Sequence, residues 1–381
     1  MSQSKKKKQS DIPKPSDAPA PESQASKPPT LPKLSTELQQ KRKAIIKQIN
    51  SGRSESKSVA SGSDLFETRK VEFISTGIVG LDYITGGGLV KGRLIELYGP
   101  TSSGKTTVAM MFARTVQRNG GLVYFADVEH ALDIAYAQKL GVDMDRFDWD
   151  QNANLQEVLE GVEQACRSGA YGLVVIDSIA ALVSAQEIKK KAGEDVVGGV
   201  AKALSHALKI LSEVCADTKT TLLMLNQRRF KIGQMFGNPE TTSGGEAPGF
   251  YASQRFRMEG CGYLQNDNGL PDGIKSKMVC KKSKVSRAFL DVVFDIRAYV
   301  GIDPIPDFVN RVWDDPKCGI NKNGSYVTID GENAAQGRER FAQLLRARPS
   351  LFEQLYKRVQ IFYATPEDQR YSLTFDKVKE L

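Results

Sequence analysis

Gly99-Pro-Thr-Ser-Ser-Gly104-Lys105-Thr106 satisfies G-x-x-x-x-G-K-[ST] at every fixed position. It follows an apolar run, Leu94–Tyr98, and precedes a helical stretch from Thr106 to Gln117. This segment limits the fold more than any other. The motif works only where a buried strand delivers a tight turn to a helix N-terminus, so that consecutive backbone N–H groups and the helix dipole converge on one anion. In that arrangement Gly99, Pro100, Thr101, Ser102, Ser103 and Gly104 cradle phosphates. Lys105 meets the β- and γ-phosphates, and Thr106 ligates Mg²⁺.

The surrounding pattern agrees. Leu122–Ala126, Leu173–Ile176 and Thr221–Leu225 are further short apolar runs. Between them lie helical stretches, one with Leu155, Val158, Leu159, Val162 and Cys166 at helical spacing, another from about Val197 to Ala216. Strands alternating with helices predict βαβ units and a mostly parallel sheet, an α/β core. Phe250–Met258, Lys277–Cys280 and Phe289–Ile296 follow one another without helices and read as added antiparallel strands. After about Ala298 the texture becomes turn-rich as far as Gly331. Two helical stretches follow, near Arg338–Ala347 and Leu351–Phe362, which together predict a small C-terminal domain. The expected divisions are a tail (1–34), a helix with linker (35–70), the core (71–298) and the small domain (299–381).

Charge is distributed unevenly. The 381 residues carry a net charge of +8, but residues 1–70 hold 15 Lys/Arg against 7 Asp/Glu, leaving 38 of each sign in residues 71–381. The core is neutral, so a polyanion site in it must be a local patch. Residues 1–34 hold seven of the sixteen prolines and too little apolar surface to offset chain entropy, which predicts disorder. The Lys5–Lys8 run suits a nuclear address, a nucleic-acid tether or a solvated tail. From Ser35, a plausible N-cap, to Asn50 the pattern turns helical, with Leu38, Ile45 and Ile46 near one face. Five cysteines without C-x-x-C spacing suit free thiols in a reducing compartment. No apolar run approaches the roughly 18 residues of a membrane span; the longest, Leu173 to Val183, is interrupted by Asp177. The start of the chain has no apolar leader pattern.

Three carboxylates follow strands. Asp177 ends Leu-Val-Val-Ile-Asp and suits a Mg²⁺-linked acid beside a phosphate loop, or else the N-cap of the residues after it. Glu129 and Asp127 both lie just after the second strand, where an open carboxylate can orient a water, and spacing does not choose between them. His130, one of two histidines, has no metal-ligand spacing around it.

Taken together, Gly99–Thr107, Phe125–Asp133, Val174–Leu182 and above all Leu225-Asn-Gln-Arg-Arg-Phe-Lys-Ile-Gly-Gln-Met-Phe-Gly-Asn-Pro-Glu-Thr-Thr-Ser-Gly-Gly245 resemble the bacterial RecA recombinases. The resemblance runs from about Leu38 to Phe362 and is dense between Gly92 and Met258. It implies a RecA-type phosphate-loop core and a DNA-dependent ATPase in the bacterial or phage-infected cytoplasm, using ATP and Mg²⁺. Such a protein forms helical homo-oligomeric filaments on single-stranded DNA and exchanges strands with homologous double-stranded DNA.

By position, the resemblance implies that Glu129 activates water, that Thr106 and Asp177 serve the metal, and that Asp133 and Tyr136 receive adenine. Thr107 belongs to the same nucleotide segment. Gln227 would sense the γ-phosphate, and Lys282 and Lys284 would reach a neighbouring subunit's ATP. Glu187–Val197, with Lys189, Lys190 and Lys191, matches a first DNA loop. Arg228–Thr242 matches a second, with Arg228, Arg229, Lys231, Met235 and Phe236 and with Gly244 and Gly245 just beyond it. Basic side chains and backbone N–H groups there suit phosphates, and Met235 or Phe236 suits a wedge between bases. Ser35–Asn50 matches the helix that docks on the adjacent protomer.

Two departures stand out. Glu246 replaces the usual Asn, and Gly249 replaces a basic residue. The acidic tail usual in the family is absent, since the chain ends Asp-Lys-Val-Lys-Glu-Leu, and a basic N-terminal tail is added. Both fit a divergent or phage-encoded member. The alternatives are a filament protein with weak strand exchange, or a ring motor, against which Lys231–Gly245 argues.

Overall fold

The computed structural model describes residues 35–53, 59–60, 71–183, 199–230, 240–266, 268–314 and 320–364. The expected disordered tail and the Lys5–Lys8 run lie outside the described residues. The chain divides into two compact units, Met1–Glu67 and Thr68–Leu381. In the first, helix α1 (Thr36–Asn50) starts at Ser35, whose hydroxyl accepts the Leu38 amide at 3.3 Å, as the sequence predicts. Leu38, Ile45 and Ile49 recur along one stripe of α1 and are exposed.

The second unit opens with β1 (Phe73–Ile74), α2 (Val79–Thr85) and β2 (Leu89–Val90). Alternation then sets in: β3 (Leu94–Gly99), α3 (Lys105–Arg118), β4 (Leu122–Asp127), α4 (Ile134–Lys139), β5 (Phe147–Asp150), α5 (Leu155–Ser168), β6 (Tyr171–Asp177), α6 (Gly199–Thr218) and β7 (Thr221–Phe230). Strand β8 (Glu240–Thr242) and the short helix α7 (Ala247–Tyr251) lead to β9 (Gln254–Gln265), β10 (Pro271–Ser283), β11 (Asp291–Arg297) and β12 (Gly301–Ile302). The chain finishes with α8 (Pro304–Asp314), β13 (Ile320–Asn323), β14 (Tyr326–Ile329), β15 (Glu332–Gln336), α9 (Gly337–Ala347) and α10 (Pro349–Ala364).

A ten-stranded sheet runs β12-β11-β10-β9-β3-β7-β6-β4-β5, with β8 paired to β7 off that path. From β9 to β5 every pairing is parallel, and β10, β11 and β12 extend the sheet antiparallel. All six residues of β3 and the last five of β6 are buried. Helices cover both faces, which is why these strands read as unbroken apolar runs. One core packs Val108, Met111 and Phe112 of α3 against Leu97, Phe125 and Leu225. The other packs Val158 and Val162 of α5 and Leu208 and Leu211 of α6 against Val174 and Leu222. No described helix is long and apolar enough to cross a membrane. Cys166, Cys215, Cys261 and Cys280 are free thiols.

Two sequence readings need correction. Phe250–Met258 is not one antiparallel strand. Its first residues end α7, and β9 then enters beside the start of β3, parallel to it, with Ile95 level with Gln254. Pro248 in the first turn of α7 is compatible with a helix because the missing N–H has no partner there anyway. The stretch after Ala298 is also more regular than its turn residues suggest. Pro304 and Pro306 sit in the first turn of α8, and Phe308, Val309 and Val312 bury one helical face in a third core with Phe341, Leu345 and Val359. Asp330 and Gly331 both take positive φ (54° and 89°), as a two-residue hairpin requires, and join β14 to β15.

Candidate functional site

The C-terminal ends of β3, β4, β6 and β7 converge on the turn between β3 and α3. Gly99 ends β3, and a Cβ there would stand 2.3 Å from the Met258 carbonyl oxygen. Gly104 has φ +88°, and a Cβ on it would stand 2.3 Å from Ile296 Cδ1. Both positions therefore require glycine. The Ser103 hydroxyl donates to the Pro100 carbonyl (2.9 Å), and Ser276 of β10 donates to the Ser103 carbonyl (3.0 Å). The turn is thus fixed from within and from the neighbouring strand. Lys105 starts α3, and its ammonium donates back to the carbonyls of Pro100 (2.7 Å) and Gly99 (3.4 Å). Burial lowers its pKa, against the opposite pull of Asp177 and Glu129.

Thr106 Oγ1 donates to Asp177 Oδ2 at 2.7 Å. The strand-end acid therefore faces the loop. The short 3-10 turn Ile179–Ala181 that follows has no side-chain cap. Burial raises the Asp177 pKa to about 6, with smaller raising contributions from Glu129 and Asp127 and opposing ones from Thr106 and Lys105. A hydroxyl and a carboxylate this close are the hard oxygen donors that Mg²⁺ takes.

Asp127 and Glu129 differ in their partners. Asp127 is buried, and its two oxygens accept the amides of Ala131 and Leu132, both at 3.1 Å. It is consumed in the turn after β4. Glu129 is exposed, and its Oε1 accepts from Ser178 Oγ (2.5 Å) and Gln227 Nε2 (3.3 Å). Ser178 is a member of this constellation that the sequence reading passed over. Its only signal was its place directly after Asp177. The Gln227 backbone N–H donates to Asn226 Oδ1 (2.8 Å), while buried Asn226 donates its side-chain amide to Glu96 Oε1 (3.0 Å) and the Ser243 carbonyl (3.0 Å).

Beside the loop, a cleft of about 270 Å³ is lined by Ser102, Gly104, Thr107, Tyr136, Ile274 and Ile296 among others. The Tyr136 hydroxyl lies 3.4 Å from Thr107 Oγ1, and its ring meets Tyr299 edge-on at 6.0 Å. Asp133 caps α4 by accepting the Tyr136 amide (3.0 Å). Pro100, Thr101 and Ser102 complete the turn, and Ser102 has a left-handed φ of 57°.

Lys282 and Lys284 stand in different settings. The β9–β10 ladder shifts register between Cys280 and Lys282, and Lys284 lies beyond the end of β10. The Lys282 ammonium donates to the carbonyls of Gly249 and Phe250, both at 2.8 Å, whereas Lys284 is exposed. Burial lowers the Lys282 pKa, helped by the like charges of Lys284 and Arg255. Both ends of Arg228–Thr242 are strand rather than loop, Arg228–Phe230 closing β7 and Glu240–Thr242 forming β8, and there Arg228 pairs with Glu259 at 3.3 Å. Arg229 is exposed and contacts Ser243 Oγ and Gln227 Oε1, each at 3.4 Å. Gly244 and Gly245 take φ of 81° and 76° after β8. Lys189, Lys190, Lys191, Lys231, Met235 and Phe236 lie outside the described residues.

The family model for the RecA N-terminal domain matches residues 40–303. The chain belongs to the RecA family. It is 39% identical over 299 residues to protein RecA 2 of Myxococcus xanthus, covering 78% of this chain and 83% of that one. It is 40% identical to protein RecA of Acidiphilium cryptum (77% and 85% covered) and 39% identical to protein RecA of Thermus thermophilus (79% and 90% covered). Membership makes this RecA-family chain a DNA-dependent ATPase of recombination and repair. Its departures at Glu246 and Gly249 have a structural setting. Glu246 is exposed just ahead of α7 without capping it, and a Cβ at Gly249 would press on the Arg255 guanidinium at 3.2 Å. The small residue thus leaves room for an arginine held by Glu96 at 2.5 Å.

Proposed function

We propose that this protein assembles as a helical filament on single-stranded DNA, binds ATP between subunits, and pairs the bound strand with homologous duplex. The observation that carries this reading is the convergence of Lys105, Thr106, Asp177, Glu129 and Gln227 on one fixed phosphate turn, with Gln227 on the strand that leads into the second loop.

In this reading the turn residues bind the phosphates, and Lys105 exchanges the carbonyls of Gly99 and Pro100 for phosphate oxygens. Thr106 and Asp177 would hold Mg²⁺, which when bound would neutralise phosphate charge. Glu129 takes a proton from the attacking water. Ser178 and Gln227 hold its carboxylate in place, and movement of Gln227 with β7 links DNA engagement to the γ-phosphate. Asp133 and Tyr136 receive the adenine, with Thr107 beside them. Lys284 is exposed for a neighbour's ATP, and Lys282 must leave α7 to join it. Arg228, Arg229 and the loop residues Lys189, Lys190, Lys191, Lys231, Met235 and Phe236 meet DNA, and α1 docks on the adjacent protomer through Leu38, Ile45 and Ile49. The proposed location is the bacterial or phage-infected cytoplasm.

A second reading rests on Glu246 and Gly249: a filament that binds DNA and ATP but exchanges strands poorly. A joint-molecule assay separates the two. With homologous single strand and supercoiled duplex, stable D-loops are expected in the presence of ATP. Filaments without D-loops would favour the second reading.

A further inference from the structure

Strand β3 stops at Gly99, but its neighbours β7 and β9 run on to Phe230 and Gln265. Gly99 is level with Gln227 on one side, and Tyr98 with Arg257 on the other. One step further along β7 is Arg228, and two steps along β9 is Glu259. Both are level with the place a continued β3 would give its next residue. Across that gap Arg228 Nη1 meets Glu259 Oε1 at 3.3 Å, joining two strands that are not neighbours in the sheet. The bridge spans the point where the chain leaves β3 for the phosphate turn.

The same Glu259 oxygen is also held by Arg257 Nη2 at 3.1 Å. Arg257 in turn pairs with Glu240 of β8 at 2.9 Å, and Glu240 accepts the Tyr98 hydroxyl at 2.8 Å. Glu259 therefore stays neutralised if Arg228 leaves. Arg228 differs from Arg257 in its surroundings. It sits on the strand that leads into the second loop, and its guanidinium lies 5.1 Å from the ring of exposed Phe230. A cation beside an open aromatic face is the pairing that single strands take, phosphate on the charge and base on the ring.

We propose that Glu259 is an internal counter-ion which a DNA phosphate displaces from Arg228. Glu259 thus holds the root of the second loop against β9 until DNA arrives. The proposal rests on the DNA-binding reading above and adds a residue that restrains it. The exchange is nearly balanced, because a partly exposed ion pair is weak and phosphate offers the same charge. Release of Arg228 frees β7 from β9 directly over the phosphate turn, on the strand that carries Gln227. Occupancy of DNA is thereby felt where ATP binds.

The test uses the full chain, a labelled oligothymidine and a non-hydrolysable ATP analogue, with affinity measured by anisotropy across a salt series. Glu259→Gln is expected to tighten binding by about two- to five-fold, the range of a partly exposed ion pair, with the slope of log affinity against log salt unchanged. Glu259→Asp, whose shorter carboxylate draws back from Arg228, should give part of that gain. Arg228→Gln should weaken binding and flatten the slope by about 0.7, one single-strand phosphate contact. On the Arg228→Gln background, Glu259→Gln should have no further effect. Unchanged affinity in Glu259→Gln overturns the proposal. So does a gain that survives without Arg228, which would be a general charge effect. Failure of the wild-type protein to bind the oligonucleotide would overturn the DNA reading and this proposal together, whereas the first two outcomes leave DNA binding standing.

Discussion

Glu129→Gln is expected to lower DNA-stimulated ATP turnover by on the order of 10²-fold or more while leaving nucleotide binding and assembly on DNA in place. The amide matches the carboxylate in size and keeps an oxygen to accept from Ser178, so the neighbours need not move. It lacks the basicity to take a proton from water. The phosphate turn is untouched, because Lys105, Thr106 and Asp177 make their contacts without Glu129. Asp127→Asn is the informative contrast. Both Asp127 oxygens are taken by backbone amides, so the amide loses one of two acceptors and weakens a turn. Turnover in that variant should follow its stability rather than collapse. Steady-state phosphate release on saturating single strand, with analogue binding measured in parallel, checks both. Loss of hydrolysis in Asp127→Asn with normal turnover in Glu129→Gln would reverse the assignment.

The second large effect belongs to the lysines after Cys280. Replacing Lys282 and Lys284 together by Ala should abolish DNA-stimulated hydrolysis yet spare nucleotide binding by the free protein. Cations inserted from a neighbour stabilise the charge of phosphoryl transfer, and the arginine version of this device is worth ~10³–10⁵ in rate. Lys282 adds a condition, since within its own chain it holds the carbonyls of Gly249 and Phe250 at the end of α7. Lys282→Ala also frees that segment, and Lys284→Ala alone is therefore the cleaner single variant. Mixing the double variant with Lys105→Ala protein should restore part of the rate, because one of the mixed interfaces pairs an intact phosphate turn with intact lysines. Normal hydrolysis by the double variant on DNA would remove the shared site from the account.

What could be read from the sequence was local. The phosphate turn is a contiguous string with its strand and helix attached, so eight residues specify both chemistry and setting. The strands of the parallel core are buried on both faces and appear as plain apolar runs. Other features depend on the geometry between elements. Asp127 and Glu129 are two residues apart, and only the turn after β4 shows which is tied to backbone amides. Ser178 gave no signal beyond its place after Asp177. The parallel entry of β9 depends on α7 carrying the chain back to the start of β3, while Phe250–Met258 looks like one extended run. The stretch after Ala298 reads as turn-rich, although Pro304 and Pro306 are at home in the first turn of α8. The pairing of Arg228 with Glu259 joins residues 31 apart on strands that are not adjacent, so no local pattern announces it.

Dependence of ATP hydrolysis on assembly along DNA is measured by the hydrolysis rate of the 381-residue chain with and without single-stranded DNA, with the same samples imaged in negative stain. Little turnover is expected without DNA, with strong stimulation by single strand and helical filaments in the stimulated samples. A rate indifferent to DNA, or stimulated hydrolysis by closed rings, would contradict it.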